Sequence, residues 1–260
     1  MRDPALVGYH TPRGALVVRV TVLELPAAWG DPASVLENVD SELQRGAETD
    51  LVLLPETSLT GYVSPHGEFD LAPFAEPIDG PTARALGDLA RRHRQHVVAP
   101  LILDEGGRRF NAMVAFDRRG ELLFTYRKRH PWFPETWATA GPEPAPTVLI
   151  EGARVTIAVC YDIHFLAEDA WSALDAADLL LFPSAWVEDV DSRPALFAAL
   201  ARRHHIAIVN ANWGRGVVRV PGQGGSSILD SSGAVLARVA SPRVIRADAT
   251  LELASGSRRR

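Results

Sequence analysis

The sequence predicts an α/β protein, a single domain spanning residues 1–260 in which helices cover largely buried β-sheets. Three observations carry that expectation. Strand-like and helix-like segments alternate along the chain, and no Gly/Ser-rich linker divides it. Several apolar runs also lack the polar alternation of a half-exposed strand. A chain of 260 residues, 47% hydrophobic and 23% charged, can bury a core of this kind.

The leader Met1–Gly14 is polar, carries Pro4, Pro12 and Gly14, and lacks the apolar core of a secretory signal. The run Ala15–Leu23 reads as a first strand. Gly30-Asp31-Pro32 then opens a helix, with Asp31 as N-cap and Pro32 at the first helical position. Val35, Leu36, Val39 and Leu43 keep helical spacing, so one face of that helix packs. Leu51–Leu54 is a short buried strand ending at Pro55-Glu56. Gly80-Pro81-Thr82 starts a second helix reaching His93, and Val97–Leu103 follows as a strand. A hairpin pairs Phe110–Phe116 with Glu121–Tyr126, turned at Asp117–Gly120, and stops at Arg127-Lys128.

A loop rich in Pro and Trp leads to Val155–Asp162, a β-branched apolar run that carries the only cysteine, Cys160. Beyond it the pattern predicts a helix near Leu166–Ala176, a strand Leu179–Phe182, a helix near Pro194–His204 and a strand Ile206–Asn210. The chain closes with a hairpin of Ser226–Leu229 and Val235–Val239 and a last strand near Val244–Ala247. Residues 252–260, ending in Arg258-Arg259-Arg260, read as a flexible solvated tail.

Composition excludes several classes of function. A net charge of -5 leaves no footprint for nucleic acid. The stretch Ala15–Leu25 is interrupted by Arg19 and Glu24 and is too short for a bilayer, so no membrane role is expected. One cysteine precludes an internal disulfide framework and fits a reducing compartment. A cytoplasmic protein is expected. No metal is expected either: His204 and His205 are adjacent on a helix and point apart, and no Cys/His ligand spacing occurs.

Three strands end in a reactive side chain: Glu56, Lys128 and Cys160. Taken singly, Glu56 reads as a surface carboxylate, Lys128 as part of a basic patch and Cys160 as a small buried hydrophobe. If the three strands lie side by side and parallel, their ends meet at one sheet edge. A carboxylate, an ammonium and a thiol are the groups needed for acyl transfer through a thioester.

These segments resemble the nitrilase superfamily, the carbon–nitrogen hydrolases with a Glu-Lys-Cys triad. Leu54–Tyr62 is similar to the family's glutamate segment, and Asn111, Gly120 and Tyr126-Arg127-Lys128 to its lysine segment. Val159–Phe165 is similar to its nucleophile segment. Pro183–Trp186, Asn212 and Gly224–Ser227 fall where later family motifs would, so the resemblance runs from about Val18 to Leu251. It implies a four-layer α-β-β-α sandwich, and a homodimer or higher homo-oligomer. It implies Glu56 as base, Lys128 and the Tyr161 N–H as oxyanion donors, Cys160 as nucleophile and Glu135 as the second glutamate that positions substrate and water. No cofactor enters this chemistry. Cys160-Tyr161-Asp162 resembles the amidase branch more than true nitrilases, so the expected partner is a small-molecule amide.

Tyr62, Trp132, Tyr161 and Trp186 are candidate substrate-pocket walls, with core packing an equal reading for each aromatic. Arg129, His130 and His164 are candidates for a substrate carboxylate, with exposed-loop readings equally good. An N-carbamoyl hydrolase with the same triad and a catalytically silent scaffold are the competing functions. The chain departs from the family pattern at Leu166-Ala167-Glu168, at His164, at Leu200–His204 and near Glu24. None of these positions belongs to the triad.

Overall fold

The computed structural model describes residues 16–26, 28–214, 223–239 and 245–253. Strand β1 (Leu16–Leu23) feeds helix α1 (Pro32–Arg45), where the Asp31 carboxylate accepts from the Ser34 N–H at 3.1 Å, as the cap sequence predicts. Strand β2 (Leu51–Leu53), helix α2 (Pro81–His93) and strand β3 (His96–Glu105) follow. Gly80 cannot cap α2 with a side chain. The Glu76 carboxylate does so instead, accepting from the N–H groups of Thr82 and Ala83. Strands β4 (Arg108–Phe116) and β5 (Leu122–Arg127) complete the first half.

The second half adds β6 (Val148–Ile150) and β7 (Ala153–Ile157), a hairpin that the sequence reading missed. Its two-residue turn, Glu151-Gly152, puts both residues at positive φ, the geometry that matches the twist of paired strands. Glutamate in the first turn position hides that signal. Two short helices, α3 (Leu166–Asp169) and α4 (Trp171–Ala176), replace the single helix expected there, breaking at Ala170. Strand β8 (Leu179–Ser184), helix α5 (Arg193–His204) and strand β9 (Ala207–Asn212) agree with the sequence pattern. The closing elements are β10 (Ser227–Leu229), β11 (Val235–Arg238) and β12 (Arg246–Leu253). The last strand runs into the stretch expected to be a flexible tail, because it pairs along all of β1. The polar leader and residues 254–260 lie outside the described residues.

The strands form two six-stranded mixed sheets, ordered β12-β1-β2-β3-β4-β5 and β11-β10-β9-β8-β7-β6. Period-two alternation divides each strand between two cores. Val18, Val20, Val22, Leu51 and Leu53 face Val155, Ile157, Leu179, Leu181 and Val209 across the space between the sheets. The alternate residues Val52, Val97 and Ala99 pack under Val39, Leu43 and Leu86 of α1 and α2. On the far side Leu180, Phe182 and Ile208 pack under Leu174, Phe197 and Ala201 of α4 and α5. The result is the α-β-β-α sandwich. No helix among the described residues is long and apolar enough to cross a membrane.

Candidate active site

The three reactive residues do not end adjacent parallel strands of one sheet, the arrangement considered for bringing them together. Glu56 follows β2 and Lys128 follows β5, which are separated by β3 and β4 in the first sheet. Cys160 follows β7 of the second sheet. The residues meet because the sheets face each other. The strand before Cys160 also stops early, at Ile157, and the cysteine opens a 3₁₀ turn, Cys160–Phe165.

Two backbone positions at this junction are strained. Cys160 has φ +47° and Thr57, next to Glu56, has φ +51°. A non-glycine residue in the left-handed region costs about 1–2 kcal/mol, so the surrounding packing must hold each turn in place. Asp162 performs much of that holding. Its buried carboxyl accepts from the Tyr126 hydroxyl at 2.9 Å, the His130 N–H at 2.9 Å and the Val159 N–H at 3.1 Å. The cysteine turn is thereby tied to the end of β5. Burial pushes the Asp162 carboxyl above its ordinary range, against the pull of Lys128 and these donors.

Lys128 lies between two carboxylates. Its Nζ donates to Glu56 Oε1 at 2.7 Å and to Glu135 Oε1 at 2.7 Å, and all three side chains are buried. Asn111 Nδ2 donates to Glu56 Oε1 at 2.8 Å and to Glu135 Oε2 at 3.2 Å. The Tyr62 hydroxyl donates to Glu135 Oε1 at 2.8 Å, and the Ala185 N–H to Glu56 Oε2 at 2.9 Å. Sequence reasoning placed Asn111 in the lysine segment but gave it no role. The available signal was an amide inside the otherwise apolar run Phe110–Phe116. Two backbone bonds fix Lys128: its N–H donates to Asn111 O, and the returning Gly141 N–H donates to Lys128 O, each at 2.8 Å. Gly141 passes so near that a Cβ there would stand 2.1 Å from Arg127 O.

Electrostatics follow from this crowding. Burial opposes the Lys128 charge, but Glu56 and Glu135 outweigh it and hold the ammonium protonated beyond the usual lysine range. Burial pushes the Glu135 carboxyl up, Lys128 pulls it down, and Glu56 adds to the rise. Burial also raises the Cys160 thiol well above its ordinary value; Glu56 reinforces this, and Lys128 with the Ala185 N–H offsets only part. These influences together favour the protonated sulfur, which lies within electrostatic reach of a carboxylate and an ammonium.

Cys160 opens onto a cavity of about 140 Å³. Tyr62, Trp132, Tyr161 and Trp186, the four aromatics named from the sequence, all line it, together with His164, Val187 and Glu188. Tyr62 stacks on Trp132 with centroids 6.1 Å apart and is braced edge-on by Trp213 at 5.7 Å. Arg129 and His130 do not line this cavity. Both bind the Asp169 carboxylate and line a small separate cleft beside Tyr126 and Leu166. Two of the departures from the family pattern take structural roles. The Glu24 carboxylate accepts from the Ser226 N–H at 2.9 Å, and His204 Nδ1 pairs with Asp175 at 2.7 Å. No cluster of three metal-ligating side chains occurs among the described residues.

Comparison with known proteins shows relatives of the same fold. A (R)-stereoselective amidase of Pseudomonas sp. is 28% identical over 222 residues, covering 84% of this chain and 80% of that protein. The amidase of Nesterenkonia sp. AN1, in a cysteine-to-alanine variant complexed with butyramide, superposes with a TM-score of 0.78 at 26% identity, covering 94% of each chain. A glutamate-to-glutamine variant of that amidase, with the acetamide moiety of fluoroacetamide added covalently at the active-site cysteine, superposes with a TM-score of 0.78 at 25% identity, covering 93% of this chain and 92% of that one. The family model for carbon–nitrogen hydrolases matches residues 19–257, and the chain belongs to that family, within the nitrilase superfamily.

Proposed function

We infer that this carbon–nitrogen hydrolase cleaves small amides through an acyl-thioester on Cys160. The observation that carries the reading is the buried Glu56–Lys128–Glu135 cluster within electrostatic reach of the chain's one thiol, which lines an aromatic cavity. The amide-named relative and the acetamide adduct on the related amidase's cysteine support it.

A thiol held above its ordinary pKa needs a base at the moment of attack. Glu56 takes the Sγ proton as sulfur bonds to the amide carbon, and the carbonyl π pair moves onto oxygen. This transfer moves negative charge from the carboxylate, by way of the sulfur, onto the carbonyl oxygen without changing the net charge of the site. The oxyanion is received by the Tyr161 N–H and by the third hydrogen of Lys128 Nζ, since Glu56 and Glu135 engage the other two. Collapse re-forms the carbonyl and breaks the C–N bond while Glu56 returns its proton to the departing nitrogen. Ammonia or an amine leaves. Glu56 then deprotonates a water held by Glu135; the water attacks the thioester carbon, and the sulfur leaves and regains its proton. The product is a carboxylic acid.

The test is direct. Incubation with a small amide, an acid quench and peptide mass analysis should give an acyl adduct on the Cys160 peptide and release ammonia without carbon dioxide. Turnover that survives Cys160→Ala would overturn the thiol mechanism. Carbon dioxide released with ammonia would favour an N-carbamoyl substrate.

A further inference from the structure

The chemistry of the cavity wall narrows the substrate. We propose that the site selects amides with an uncharged, apolar or aromatic acyl group and rejects acyl groups that carry a carboxylate; this rests on the amidase reading above. Four observations support it.

The first is the wall itself. Tyr62, Trp132, Tyr161 and Trp186 line the same cavity as Cys160. Their positions are set by packing: Tyr62 lies edge-on to both Phe69 and Trp213, and Trp186 packs on Phe182 of the core. Rings fixed in this way bury apolar surface without losing freedom on binding.

Size is the second observation. The cavity, about 140 Å³, is close to the ~150 Å³ of an apolar cavity that accepts benzene. A phenyl or branched aliphatic group fits that scale.

Third, the charge lining the cavity is negative. Glu188 lines it, and Glu56 and Glu135 both act electrostatically on the Cys160 sulfur. Burial opposes ionisation of Glu188, but the Ser192 N–H at 2.9 Å and hydroxyl at 2.7 Å help hold its carboxyl below the usual range. The one ammonium at the reacting end, Lys128, already faces two carboxylates.

Finally, the cationic groups that the sequence offered for a substrate carboxylate are engaged elsewhere. Arg129 and His130 are both bound to Asp169 and line a different cleft. Among the described residues no arginine or lysine lines the cavity. His164 lines it but lies against the rings of Tyr161 and Trp186. A substrate carboxylate would lose water in the presence of like charges and meet no arginine or lysine among the described lining residues.

The experiment compares near-isosteric amides with the full chain, reading ammonia release. In 4-methylpentanamide an isopropyl group stands where succinamate has its carboxylate; phenylacetamide adds an aromatic acyl group. The expected result is a kcat/KM for 4-methylpentanamide and phenylacetamide on the order of 100-fold above that for succinamate, from lost apolar burial and added repulsion together. Succinamate turned over as well as 4-methylpentanamide, or better, would overturn the proposal while leaving the amidase reading intact. Failure to release ammonia from any of the three, with no adduct on Cys160, would overturn both. In Glu188→Gln the ratio of neutral to anionic kcat/KM should narrow about tenfold. An unchanged ratio would remove Glu188 from the selection.

Discussion

Replacing Lys128 with methionine keeps most of the side-chain volume and removes the charge that two buried carboxylates share. Lys128 Nζ lies 2.7 Å from an oxygen of Glu56 and 2.7 Å from one of Glu135. At an effective dielectric near 20, each contact is worth roughly 6 kcal/mol before desolvation is counted. Removing one partner of a buried pair costs about 3–5 kcal/mol in measured cases. Here one ammonium serves two carboxylates, so the upper part of that range is expected at pH 8. The loss should shrink in acid. A carboxyl whose folded pKa lies above its unfolded value binds its proton more tightly when folded, so its presence favours the folded state less as pH rises between the two values. Glu135 already has a raised pKa in the intact site, and removing Lys128, the cation that pulls it down, raises it further. Urea unfolding of Lys128→Met should therefore show lower stability at pH 8 than at pH 5.5, with a steeper dependence than the unaltered chain. Turnover should fall by about 10²–10³ or more, the usual cost of one oxyanion donor. A variant within 1 kcal/mol of the parent at pH 8, with the same pH slope, would refute the idea that the ammonium offsets both carboxylates.

Two further outcomes follow from the same geometry. Tyr62→Phe removes a 2.8 Å donor to Glu135 while keeping the ring, and a hydrogen bond to a charged group is worth about 1.5–3 kcal/mol. The kcat for a small amide should drop about tenfold or more, and an unchanged kcat would mean that Glu135 needs no such anchor. In the free enzyme, the rate of iodoacetamide modification at Cys160 should still be climbing above pH 9, because burial and Glu56 hold the thiol proton. A plateau below pH 8 would indicate a preformed thiolate.

Much of the fold was legible because its signals are local. Asp31-Pro32 and Gly80-Pro81 mark two helix starts, and the apolar runs of β2, β3, β8 and β9 lie where the sequence places strands. Glu56, Lys128 and Cys160 were legible as candidates because each follows an apolar run with a chemically reactive group. Their meeting across two sheets was not, since facing sheets depend on which layers pack together rather than on any one segment. Arg129 and His130 illustrate the same limit. Their partner Asp169 is 40 and 39 residues away, so nothing near them in sequence marks them as occupied. Asn111 and Asp162 were visible as polar residues in buried surroundings, but their partners are supplied by tertiary structure.

The division of the site between the two sheets has a consequence for biosynthesis. Glu56, Lys128 and Glu135 all precede Cys160 in the chain, so the ribosome delivers the carboxylates and the ammonium before the thiol. The seat of the sulfur, however, requires β7 to pair with β8, and β8 with β9, which are made later still. The thiol gains a carboxylate and an ammonium as neighbours only where the second sheet lies on the first, which makes docking of the two sheets the step that assembles this trio.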